Sequence, residues 1–117
     1  MPLEVPKWLE DIRDAGAFIL SATSGKTFDG FVTDRLLRQA VERNFEIIGE
    51  ALSRLTRTDE QTAHRISHAK RIIAFRNILI HGYDHIDLEV VWNVVQNNLP
   101  ELVAQVESLL REVENSP

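Results

Sequence analysis

The sequence predicts an all-α fold, an up-and-down bundle of four to five helices, on three observations. Apolar residues recur at steps of three and four through Phe31–Leu55 and again from Leu88 to Leu109, the spacing that lines one face of a helix. No stretch shows the strict apolar–polar alternation of a half-buried strand, and neither an internal repeat nor a low-complexity segment interrupts the chain. Cap and turn residues separate the periodic stretches.

The first helix is expected from Pro6 to Ala22, with Leu9, Ile12, Ala15, Ala17, Phe18 and Ile19 near helical spacing and Pro6 suited to a first turn. Gly25, within Thr23-Ser24-Gly25-Lys26-Thr27, is a candidate cap, and Asp29 or Thr33 can start the next element. The second helix is long, about Phe31 to Leu55, its face marked by Leu37, Val41, Phe45, Ile48, Leu52 and Leu55. Gly49 inside it costs roughly 1 kcal/mol relative to alanine, which points to the close approach of another helix. Glu46 and Glu50 are four apart on one face, where Arg43 and Arg54 can meet them. Thr58-Asp59-Glu60-Gln61 matches a capping box, so a third helix starts there or at Ser67 and runs to Gly82, expected to end it in the left-handed conformation. From Leu88 the seam Trp92, Val95, Leu99, Leu102, Val106, Leu109 is interrupted by Pro100, which predicts a break near Asn97–Leu99 and a frayed tail after Glu112.

With 117 residues the chain is about one domain, taken here as residues 1–117. No apolar run approaches the ~20 residues of a membrane span, and Met1-Pro2-Leu3-Glu4 lacks the order of a signal peptide, so a cytoplasmic location without membrane contact is expected. Zero cysteines exclude disulfides, thiolate chemistry and cysteine zinc sites. A net charge of −5 argues against a surface that grips nucleic acid everywhere. Between Glu60 and Asp84, however, no acid intervenes, while Arg65, Lys70, Arg71, Arg76, His64, His68 and His81 do. Such an island is usually a solvated face whose neighbours supply the acids. His64 and His68 could share a metal, but a third ligand is wanting and His64 lacks the following Glu of a zincin motif.

The densest chemistry lies in Arg76-Asn77-Ile78-Leu79-Ile80-His81-Gly82-Tyr83, where polar groups interrupt the most apolar run. That helix is hydrophobic nearly all round, which predicts that protein surrounds it. RNA can be cut without metal if a base takes the 2′-hydroxyl proton, an acid protonates the leaving 5′-oxygen and a cation stabilises the phosphate; histidine and arginine suit those roles. Asn77 can donate to phosphate or orient the imidazole. Arg76 and His81, five apart, diverge by roughly 140° on a regular helix. Either the helix unwinds at Gly82, or a second copy completes the site across a dimer interface. A purely structural role is equally open, with Arg76 paired to Glu46 or Glu50 and His81-Gly82-Tyr83 acting as a cap.

These residues resemble the Arg-x4-His-x-Tyr motif of the HEPN superfamily, and of the HepT-like toxins in particular, with Arg76, His81 and Tyr83 at the matching positions. Ala40–Ala51 is similar to that family's second helix, and Ile86–Trp92 with Leu99-Pro100-Glu101-Leu102 to its fourth, so most of residues 8 to 110 is covered. Where the family often carries a tryptophan before the third helix, this chain reads Ile66-Ser67-His68-Ala69. The resemblance implies a HEPN-like homodimer that acts as a metal-independent endoribonuclease, the toxin of a type VII-like toxin–antitoxin pair. It implies Arg76 and His81 as the catalytic pair, Asn77 in support, and Tyr83 as the acceptor to which an MNT-type nucleotidyltransferase antitoxin attaches AMP. ATP and magnesium would serve that partner, and this chain would need no cofactor. The alternative is a non-catalytic module that binds a nucleotide or the transferase.

Overall fold

The computed structural model describes residues 2–82 and 85–115. Among them the fold is all-α, as expected, but with seven helices rather than four or five: α1 (Val5–Thr23), α2 (Phe28–Thr33), α3 (Arg35–Thr58), α4 (Glu60–His64), α5 (Ala69–His81), α6 (Leu88–Asn97) and α7 (Leu99–Glu114). The two extra helices, α2 and α4, are short: α2 is split from the predicted second helix at Asp34, and α4 from the predicted third helix by the turn at residues 65–68. Asp34 is extended and its carboxylate accepts from Leu37 N–H, so the long helix starts at Arg35 and not at Phe31. Asp59, not the expected Thr58, caps α4, accepting from both the backbone N–H (3.2 Å) and the hydroxyl (2.6 Å) of Thr62. Thr58 stays in α3 as its last residue.

α3 is the central element, packed on α1 and α5, while α7 lies against α1 and α6 bridges α7 and α2. The core follows the helical spacing: Leu9, Ile12 and Ile19 from α1, Val41, Phe45, Ile48, Leu52 and Leu55 from α3, Ile72, Phe75 and Leu79 from α5, and Leu99, Leu102 and Val106 from α7 are all buried. Phe45 and Phe75 meet edge to face, 5.1 Å between centroids, across the α3–α5 contact. Ala17 and Phe18, counted with the first helix's apolar face, instead point outward, and Gly16 takes the buried place. Trp92 leaves the α6–α7 seam half-buried to pack on Phe31 (5.3 Å) and Phe28 (6.4 Å) of α2.

The break at Asn98, before Pro100 in the first turn of α7, falls where expected. α7 persists to Glu114, two residues past the expected fraying point, and Glu112 in its last turn accepts from the two terminal guanidinium nitrogens of Arg65. Gly25 has the left-handed backbone (φ 74°) of a helix-ending glycine. Gly82 does not: at φ −112°, ψ 34° its N–H still donates to Ile78 C=O (2.8 Å), so helical hydrogen bonding continues through it and no reversal is needed there. Among the described residues no helix is long and apolar enough to cross a membrane.

Gly49 marks the tightest crossing. A Cβ placed there would fall on the Cβ and Cγ of Arg76, atoms fixed close to the α5 backbone, so the helices would have to move apart. Overpacking of this kind costs about 1–3 kcal/mol and outweighs the ~1 kcal/mol that alanine gains in helix propensity. Gly49→Ala is therefore expected to lower the unfolding free energy by about 1–2 kcal/mol in a denaturant titration; a variant as stable as the parent would show that α5 is not pinned there.

Candidate active site

α5 forms because His68 leads into a run, Ala69 to His81, whose residues Ile72, Phe75 and Leu79 bury one face against α3. Within the single protomer, protein does not surround this helix. Lys70, Arg71, Ala74, Asn77, Ile78 and His81 are exposed and follow one another at steps of one or three along the outward side, and Ile78 is 57% accessible, Ile80 39%. The protomer leaves uncovered an edge that carries cations, an amide, an imidazole and two isoleucines.

Arg76 sits between that edge and α3. Its stem crosses Gly49, and Nε is sealed from solvent without a hydrogen-bond partner among the described residues, which leaves the two terminal nitrogens as its working groups. Nη2 donates to Glu50 Oε2 at 2.5 Å and Nη1 to Asn77 Oδ1 at 3.0 Å. Of the two acids the sequence offered to Arg76, the partner is Glu50; Glu46 meets Arg43 instead (3.3 Å). Glu50 is shared, because its Oε1 accepts from Arg54 Nε at 3.0 Å.

The helix does not unwind to bring His81 round to Arg76. His81 is the last residue of regular α5, and no hydrogen bond joins it to Arg76 among the described residues. Asn77 narrows the gap, since the Arg76 side chain bends toward it and His81 stands one turn beyond Asn77 on the same face. Asn77 thus accepts from Arg76, where the sequence suggested a donor to phosphate or a support for the ring. Tyr83 lies outside the described residues.

Neighbouring acids reach part of the basic island, as a solvated face would have it: Arg65 pairs with Glu112, His68 with Glu101 (2.9 Å) and Arg76 with Glu50. Lys70 and Arg71 form no ion pair among the described residues, and both lie on the exposed side of α5. The His64–His68 metal reading gives way to this network. His68 turns to Glu101 and to Asn98, and no group of three acids and histidines is placed to hold a metal among the described residues.

A half-buried arginine backed by an acid, with an exposed amide and imidazole along the adjoining helix edge, can hold a phosphate and move a proton near it. A model of the ribonuclease HepT-like family matches residues 12–109. The chain belongs to the HepT-like ribonuclease family. Among its relatives, a HepT-named ribonuclease of Thermococcus cleftensis is 34% identical over 102 residues, which cover 87% of this chain and 92% of the relative. A protein of Caldanaerobacter subterraneus subsp. tengcongensis that carries an RNase name is 31% identical over 105 residues, 90% of this chain and 93% of the relative. Another RNase-named protein, from Methanocaldococcus jannaschii, is 33% identical over 104 residues, 89% and 94% of the two chains. No solved structure matches the chain.

For this HepT-like chain the sharing of Glu50 was the feature least visible beforehand. Its signal was Gly49: a small residue at a helix crossing places the next side chain, Glu50, against the partner helix and its cation. The hydrogen bond from Arg54 is the largest influence on Glu50; burial opposes it and the charges of Arg76 and Arg54 reinforce it, so the carboxyl titrates below its ordinary range. A depressed carboxyl stabilises the folded state above its unfolded pKa of ~4.3, and the contribution is lost as pH falls through the lower folded value. Because the Glu50 side chain is 39% accessible and that of Arg76 24%, solvent screening keeps the effect to about 1 kcal/mol or less. Glu50→Gln should thus be slightly less stable than the parent at neutral pH, the two converging below about pH 4. Chemical denaturation across pH 3 to 7 checks this, and a deficit that grows as pH falls would contradict the assignment.

Proposed function

We propose that this HepT-like ribonuclease is a metal-independent endoribonuclease toxin that works as a homodimer, with Arg76 and His81 as its catalytic pair. The observation that supports it is the α5 edge, where Glu50 and Asn77 steady the Arg76 guanidinium and an exposed His81 stands one turn beyond Asn77. An imidazole removes the proton from a ribose 2′-hydroxyl, whose oxygen attacks the adjacent phosphorus. The bond to the 5′-oxygen breaks, that oxygen takes a proton, and a 2′,3′-cyclic phosphate and a 5′-hydroxyl result. Arg76 stabilises the charge on the phosphoryl oxygens through Nη1 and Nη2, exchanging Asn77 and Glu50 for phosphate. Asn77 supports Arg76 before substrate arrives.

The two proton transfers need two groups, and each chain brings one His81 to this edge. A two-fold pairing through the exposed Ile78 and Ile80 places a second His81 opposite the first, so the dimer supplies both base and acid. Tyr83, two residues past His81, is the acceptor to which an MNT-type nucleotidyltransferase antitoxin attaches AMP, using ATP and magnesium; the added bulk and negative charge then exclude RNA.

RNA cleavage by purified parent, Arg76→Ala and His81→Ala proteins tests the pair. Each variant is expected to fold and to lose at least ~100-fold in rate, the scale of a missing general acid or base. Undiminished cleavage by His81→Ala would remove the assignment, and RNA binding without cleavage by any unmodified sample would favour the binding-module alternative. Intact mass after incubation with the transferase, ATP and magnesium should show AMP on Tyr83 and a loss of cleavage in the same sample. AMP found on another residue, or modified protein that still cleaves, would refute the proposed switch.

A further inference from the structure

Beside Arg76 a cleft of about 480 Å³ opens between α1, α3 and α5, a size within the range of small-ligand sites. Apart from Arg76 and its partner Glu50, the proposed chemistry uses none of it. Trp8, Ile47 and Ile80 give it apolar and aromatic walls. Three cations, Arg43, Arg54 and Arg76, face three carboxylates, Asp11, Glu46 and Glu50, so its formal charges cancel. The groups are paired in place: Arg43 to Glu46 at 3.3 Å, Arg54 to Glu50 at 3.0 Å, Arg76 to Glu50 at 2.5 Å, with Lys7 holding Asp11 at 2.5 Å.

That balance discriminates among ligands. A polyanion gains little from a cleft whose cations are already matched by carboxylates. A flat, neutral group with hydrogen-bonding edges gains from both signs and from the indole. We infer that this cleft is a nucleobase subsite for single-stranded RNA, taking the base next to the phosphate held by Arg76, with Trp8 as the aromatic wall. The inference rests on the ribonuclease reading for its choice of ligand. Unpaired bases are recognised by stacking on aromatic or guanidinium planes and by contacts to their edges. Glu46 sets the preference. Its carboxylate can only accept, so it suits the exocyclic amino group of cytosine or adenine and disfavours the carbonyl oxygen that uracil presents at the same place.

The test uses the His81→Ala protein, which leaves RNA intact, and fluorescence anisotropy with labelled oligomers of about six cytidines, adenosines or uridines. Cytidine and adenosine oligomers are expected to bind more tightly than uridine. Adding Trp8→Leu should weaken binding roughly tenfold, Trp8→Phe should keep most of it because a ring remains, and Glu46→Gln should erase the advantage of cytidine over uridine. In cleavage by the otherwise unaltered enzyme, Trp8→Leu should raise KM and spare kcat. Oligomer binding indifferent to Trp8→Leu overturns the subsite, as does a Trp8→Phe loss equal to that of Trp8→Leu. If Trp8→Leu does not fold, a cytidine preference that survives Glu46→Gln overturns it alone. Cleavage that depends on Arg76 and His81 but ignores Trp8 and Glu46 removes the subsite and leaves the ribonuclease reading. Base-selective binding that needs Trp8, in a protein that never cleaves, supports the subsite and removes that reading.

Discussion

The close crossing of α3 and α5 at Gly49 is the constraint on which the candidate site depends. With no side chain at Gly49, the stem of Arg76 lies directly on α3, so close that even a methyl group would not fit. Glu50, the next residue, then reaches the guanidinium, while Asn77 on α5 takes its other terminal nitrogen. The planar fork is thereby oriented before any ligand arrives, and binding a phosphate need not immobilise a free side chain. The Phe45–Phe75 contact belongs to the same α3–α5 packing and helps keep the two helices at that separation.

Electrostatics follows from that geometry. The chain carries a net charge of −5, and cations of the α5 region draw acids from α3 and α7. Arg76 is not left as an open positive charge that would bind any polyanion; it is matched by Glu50, which also holds Arg54. In the proposed site, a phosphate that displaced Glu50 from Arg76 would leave the carboxylate its bond to Arg54 and not strand it. Exchange of one anionic partner for another gives less affinity than neutralising a bare cation, and it favours ligands that make further contacts nearby. Lys70 and Arg71, on the outward face of α5, supply positive charge of the kind that tracks an RNA backbone.

The helical architecture was legible because the periodicity was strong, and the Pro100 break because proline's effect is local. Where side-chain caps competed, the sequence was ambiguous. Asp34 and Asp59 each outcompeted a neighbouring threonine or a continuing helix, and that choice turns on backbone geometry that periodicity does not contain. Gly82 misled for a related reason: glycine permits the left-handed conformation but does not require it, and here the helical hydrogen bond to Ile78 persists. Of the site, the Arg76–Glu50 pair and the close approach at Gly49 could be read as possibilities, and the structure decided between Glu46 and Glu50. The cleft beside Trp8 could not be read, because its walls come from three helices far apart in sequence.

In the proposed dimer the exposed side of α5 would join assembly to activity. A wheel that is apolar nearly all round leads one to expect burial, yet Ile78 and Ile80 remain accessible in the protomer, on either side of the residue Leu79 that anchors the helix. Hiding these isoleucines in a two-fold contact would be favourable by roughly 25 cal/mol for each Å² of apolar surface covered. The same contact would carry His81, one turn from Asn77, toward its counterpart. In the proposed dimer the groups that favour association and the groups that move protons thus alternate along a single helix edge. On that proposal a separated protomer, with its one imidazole round the helix from Arg76 on regular α5, would keep the phosphate-binding half of the site and lack the second proton-transfer group.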